Sequence, residues 1–89
     1  VYARSRTLAA DVREAVQHEA GMPRSTYIGK GTAFSVRSDL GTLNFAQVPA
    51  VMIEMGNMRN ASDAKLFGSA SWRDKAAAAL ADGITSFLG

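Results

Sequence analysis

A chain of 89 residues, 47% hydrophobic and 20% charged, has the composition of one small globular domain at most and not of a disordered tail. Ten Lys and Arg against eight Asp and Glu leave a net charge of +2. The basic residues are scattered, with no run and no interleaved aromatic platform, so no nucleic-acid partner is expected. There is no cysteine, which excludes a disulfide framework and a thiolate metal site; no apolar stretch approaches the ~20 residues of a membrane span.

The opening Val1-Tyr2-Ala3-Arg4-Ser5-Arg6 lacks an initiator Met and the apolar segment of a signal peptide, so the chain is expected to be cut from something longer. The first predicted element is an amphipathic helix over about Ser5 to Ala20. Leu8, Val12, Ala15 and Val16 recur on one face, with Arg6, Asp11, Arg13, Glu14 and Gln17 on the wet side. Gly21 supplies the stop and Pro23 follows. His18, the only histidine, falls in the last turn, where it suits the helix dipole and is expected at the surface, not as a metal ligand.

Residues Met22 to Leu43 predict an irregular stretch with one or two short strands. Thr26-Tyr27-Ile28 and Thr32 to Val36 are β-prone, and Leu40-Gly41-Thr42-Leu43 reads as another short strand. Gly29-Lys30-Gly31-Thr32 looks superficially like a phosphate loop, but the rest of that motif and its strand-then-helix frame are missing, so a plain turn is expected.

The run Val48-Pro49-Ala50-Val51-Met52-Ile53-Glu54-Met55-Gly56 has the signature of a strand buried on both faces, as in a parallel α/β sheet. Burying Val51, Met52 and Ile53 there would contribute roughly 1.5–3 kcal/mol apiece. A carboxylate ending such a run is costly unless it is paired or meets water. Ligands of open α/β sheets bind outside the carboxyl ends of strands, where Glu54 would fall. Two readings stay open on physical grounds: a functional carboxylate, or a Glu paired with Arg59 or Arg37.

Beyond Gly56, Asn60 followed by Asp63 marks an N-cap with an acidic first turn, predicting a short helix to about Phe67 that Gly68 ends. A final helix is predicted from Ser71, with Asp74 three residues on. Its core stripe would be Trp72, Ala76, Ala79, Leu80, Gly83, Ile84 and Phe87, small enough for close packing against a sheet.

Val48 to Gly56, with Asn60 a few residues on, resembles the terminal motif of the zinc-dependent N-acetylmuramoyl-L-alanine amidases of bacterial cell-wall hydrolases and autolysins: a Pro-Ala-Val-apolar-apolar-Glu-x-Gly strand, then a loop whose Asn opens a helix. Ser5-x-x-Leu8-Ala9-x-x-Val12, Asp39-Leu40-Gly41-x-Leu43-Asn44 and the closing Ala-rich helix with Gly83-Ile84 resemble further parts of the family, so the likeness covers nearly the whole chain. Gly56-Asn57-Met58-Arg59-Asn60 departs from the commoner Gly-Phe wording and resembles actinobacterial, mycobacterium-like members.

The resemblance implies that residues 1–89 are the C-terminal portion of a single amidase catalytic domain with an α/β fold, a mostly parallel sheet flanked by helices. It implies a peptidoglycan or muramyl-peptide substrate cleaved between N-acetylmuramic acid and L-alanine, and a periplasmic or cell-wall location. It further implies a zinc held by two His and one Glu that activates water, and a last Glu acting as base and proton shuttle. Glu54 matches that last Glu. The three zinc ligands are expected in the N-terminal part of the same domain, upstream of this chain, and His18 matches none of them. The alternative is an amidase-like module that binds peptidoglycan or a partner without chemistry. Arg37, Asn44, Asn57 and Arg59 flank the motif and are open to roles as substrate contacts or as turn and cap residues.

Overall fold

In the computed structural model, which describes residues 2–26 and 28–89, the amphipathic pattern of the first segment forms helix α1 (Tyr2–Glu19). It begins three residues before the predicted start. Leu8 and Val12 are buried, and Ala15 and Val16 pack against the core on the same face. Gly21 stops the helix with a left-handed backbone (φ +67°), a conformation that costs glycine little.

The segment that follows contains a 3₁₀ turn, Ile28–Gly31, in which Gly29 and Lys30 both take left-handed angles. The plain turn expected at Gly29-Lys30-Gly31 is therefore present. A one-turn helix α2 (Gly41–Asn44) comes next, where the sequence suggested a short strand. Helix α3 (Ala61–Phe67) has Asn60 as its N-cap, the side chain accepting from the Asp63 amide at 3.0 Å, and Gly68 as its C-cap. Helix α4 (Ala70–Leu88) is capped by the Ser69 hydroxyl, which accepts from the Trp72 amide.

Helices α1 and α4 run antiparallel. At one end the Trp72 indole N–H donates to the Ala20 carbonyl at 2.9 Å, satisfying a group that the end of α1 leaves without a helical partner. In the middle Gly83 lies against Val12, and at the far end the Arg4 guanidinium sits 4.6 Å from the centre of the Phe87 ring. The core is Ala20, Met22, Trp72, Ala76 and Ala79, with Ala15, Val16, Met55, Leu66 and Phe67 packed around it. The predicted stripe of α4 holds at Trp72, Ala76, Ala79 and Gly83, whereas Ile84 is exposed.

The expectation of an α/β fold with a mostly parallel sheet is corrected: the regular elements among the described residues are all helices, with no strand. The small face of α4 packs on α1, not on a sheet. Along residues 47–56 no backbone group joins a backbone–backbone hydrogen bond among the described residues. Val51 is half-buried, while Met52 and Ile53 are 58% and 41% exposed. The reason is non-local. A strand buried on both faces needs a paired neighbour on each side, and the candidate neighbours fold otherwise: Leu43 lies in α2, residues 33–37 are irregular, and Ile28 opens a turn. Tyr27, in the first of these candidates, lies outside the described residues, as does Val1 at the start of the chain.

Candidate active site

Glu54 is held by its neighbours and not by its own side chain. Met55 is packed against the core, while Glu54, one residue earlier, is exposed. The start of the same segment is tied to α1 by the Ala50 amide, which donates to the Ser5 hydroxyl at 3.0 Å. Its end is fixed on α3. Gly56 lies so close to that helix that a Cβ would come within 2.7 Å of Phe67 Cζ and 3.0 Å of Asp63 Oδ2. The Asn57 amide donates to Asp63 Oδ2 at 3.0 Å, and the Arg59 amide donates to Asn57 Oδ1 at 2.9 Å, closing an Asx turn. Core packing at Met55 and this hydrogen-bonded turn therefore bracket a solvent-facing carboxylate.

Neither expected arginine pairs with Glu54. The Arg37 guanidinium is forked onto Asp39, with Nε to Oδ1 at 2.8 Å and Nη2 to Oδ2 at 2.6 Å. That bidentate bond holds the Asp39 carboxyl down at about 2. The Arg37 pKa is raised, chiefly by the Asp39 hydrogen bond and charge; Glu54 adds a smaller coulombic contribution, so the two side chains feel each other without bonding. Arg59 is not within ion-pair distance. Among the described residues Glu54 has no ion pair and no hydrogen bond. Asn44 spends its amide on the Ser38 carbonyl, and Asn57 serves the turn, so both act in local structure here.

The described residues do not make a zinc centre. A catalytic zinc takes three protein ligands and an open position, and no group of three His, Cys, Asp or Glu able to hold a metal occurs among the described residues. His18 is exposed in the last turn of α1, 3.3 Å from Glu14 Oε2. Glu14 is the hub of that cluster, contacting Arg13 at 3.1 Å and Arg24 at 3.2 Å. The Arg13 hydrogen bond is the main cause of its lowered pKa. The cluster ties α1 to the following segment. Two clefts, of about 450 and 390 Å³, lie at His18–Trp72–Lys75 and at Tyr2–Arg6–Phe34, and Glu54 lines neither.

Sequence reasoning missed the parts played by Asp63, Met55 and Phe67. Asp63 was legible as an acid in the first turn of a capped helix, but not its reach back to the Asn57 amide, since that depends on how the loop folds over α3. No helix among the described residues is long and apolar enough to cross a membrane.

The family model described as N-acetylmuramoyl-L-alanine amidase matches residues 1–86. The chain is 45% identical over 69 residues to N-acetylmuramoyl-L-alanine amidase Rv3717 of Mycobacterium tuberculosis, covering 78% of this chain and 28% of that protein. It is 40% identical over 50 residues to Uncharacterized protein YqiI of Bacillus subtilis, covering 56% of this chain and 24% of that one. The chain thus spans about a quarter of the length of these relatives. No solved structure gives a significant match. With the family model matched over residues 1–86, this chain belongs to the N-acetylmuramoyl-L-alanine amidase family.

Proposed function

We propose that residues 1–89 are the C-terminal portion of a single amidase catalytic domain and that they supply its general base, Glu54. The reaction is hydrolysis of the peptidoglycan amide between the lactyl group of N-acetylmuramic acid and L-alanine of the stem peptide. The observation that carries the reading is an exposed carboxylate, unpaired among the described residues, on a backbone held at Met55 and Asn57, with a guanidinium nearby that is committed elsewhere. A carboxylate placed for stability would be expected to pair, whereas one that must exchange protons with a substrate needs free oxygen lone pairs.

Glu54 takes a proton from water as the water oxygen bonds to the amide carbonyl carbon. It then delivers that proton to the nitrogen as the C–N bond breaks, leaving a lactyl carboxyl group and the free amine of the stem peptide. The zinc implied by the family resemblance would have its ligands in the N-terminal part of the domain. Support for such a covering part comes from the exposed apolar side chains of the segment that carries Glu54, among them Phe45 (86%), Val48, Met52 and Met58, which are more than an isolated surface needs. Work on peptidoglycan places the protein outside the cytoplasm, in the periplasm or cell wall.

The test is Glu54→Gln in the protein joined to its zinc-holding part, assayed on a muramyl peptide. Loss of hydrolysis with substrate binding retained supports the reading. An assembled parent protein that binds peptidoglycan and never cleaves it overturns the reading in favour of a binding module.

A further inference from the structure

We infer that Asp63 is a positioning residue for Glu54, acting through the backbone of the Gly56–Asn57 turn; this rests on the catalytic reading of Glu54 above. Asp63 occupies the first turn of α3, where an acidic residue is ordinarily explained by capping and the helix dipole. Its backbone amide does serve the cap, donating to Asn60 Oδ1 at 3.0 Å. The carboxylate is used differently. Its Oδ2 accepts from the Asn57 amide at 3.0 Å, six residues back and three residues after Glu54.

Three contacts make that bond a fixed strut. A Cβ at Gly56 would come within 2.7 Å of Phe67 Cζ and 3.0 Å of Asp63 Oδ2, so the chain passes close over these two α3 side chains and one of them would have to shift. Phe67 in turn leans on Trp72, ring centres 5.8 Å apart, which connects the strut to the core. Met55 is anchored against that same core. Between Met55 and Asn57 the backbone has little freedom, and Glu54 is the next residue out. An exposed carboxylate with no bond of its own depends on such a support for its direction. Displacing a reacting group by about 1 Å costs up to about 10²-fold in rate.

The experiment compares Asp63→Ala, Asp63→Asn and Gly56→Ala in the assembled enzyme, with Glu54→Gln alongside, measuring kcat, KM and Tm on a muramyl peptide. Asp63→Ala and Gly56→Ala are expected to lower kcat by about 10- to 10²-fold with KM little changed. Asp63→Asn keeps an oxygen that accepts from the Asn57 amide and is expected to recover most of kcat, and being isosteric it also reports if the alanine variant does not fold. A fall in Tm with kcat intact means a cap and nothing more, and overturns the inference. So does an Asn variant as slow as the Ala variant, because charge and not the strut would then matter. If Glu54→Gln retains parental turnover, the reading of Glu54 fails first. If Glu54→Gln is slow and Asp63→Ala is not, only the positioning role falls.

Discussion

Gly83 of α4 rests directly on Val12 of α1: a Cβ at Gly83 would come within 2.8 Å of Val12 Cα and 3.2 Å of the Asp11 carbonyl oxygen. Both obstacles are backbone, which cannot swing aside. The helix pair is the principal packing of the molecule, so Gly83→Ala sets two effects against each other. Alanine gains about 1 kcal/mol of helix propensity over glycine. Overpacking a tight contact costs about 1–3 kcal/mol. With backbone as the obstacle the second effect wins, and Gly83→Ala is expected to lower Tm by several degrees, at roughly 4–8 °C per kcal/mol for a domain of this size. A Tm equal to or above the parent's would show that the helices separate at little cost.

The Arg37–Asp39 fork makes a pH prediction. The Asp39 pKa in the folded chain is depressed from 3.8 to about 2, so its contribution is present above the unfolded value near 3.8 and is lost as pH falls through about 2. Carboxyl NMR should find Asp39 titrating near 2. Arg37→Ala should return it toward 3.8, with little change in stability because the pair is exposed. An Asp39 midpoint unaffected by Arg37→Ala would mean that the fork does not persist in solution.

Glu19 has the opposite sign. The Glu19 pKa is raised, first by a hydrogen bond between the two carboxyl groups, then by desolvation and the Asp82 charge. A raised folded pKa means that the folded state holds the proton more tightly than the unfolded state. The associated stability is full at acid pH and is lost as pH rises through the folded pKa. Glu19→Gln should therefore raise Tm at pH 7 and give no gain in acid, where the parent Glu19 carboxyl is protonated. An equal shift at both pH values would assign the gain to the end of α1, where Glu19 stands against the helix dipole, and not to Asp82.

How far the sequence carried the description depended on the range of the interactions involved. Helices α1, α3 and α4 were legible because their apolar spacing and their caps, Asn60 and Gly68 among them, are local signals. The fate of Val48–Gly56 was not, because the same apolar run serves as a buried strand only if other segments pair with it, and Leu43 and Ile28 formed a short helix and a turn instead. Glu54 stood out as a carboxylate ending an apolar run. Its lack of a partner was not readable, since two arginines were in sequence range and only the structure shows Arg37 bound to Asp39. The hold of Asp63 on the Asn57 amide is likewise tertiary, although its two ends are six residues apart.

The last prediction turns on the difference between an unpaired and a paired Glu54. Glu54→Gln preserves size and hydrogen-bonding reach but removes the proton acceptor. General acid–base assistance is worth about 10²–10⁴-fold, so the turnover of the assembled enzyme should fall by that order. Stability should stay within about 0.5 kcal/mol of the parent, the range of surface substitutions that break no network, because Glu54 makes no ion pair or hydrogen bond among the described residues. Zinc content should also stay at the parental level, since the proposed role of Glu54 is proton transfer and not ligation. Had Glu54 been an ion-pair residue, the same variant would lose Tm and keep its turnover. Turnover, metal content and Tm measured on one variant therefore separate a base from a ligand and from a structural acid. Parental turnover in Glu54→Gln would remove this carboxylate from the chemistry.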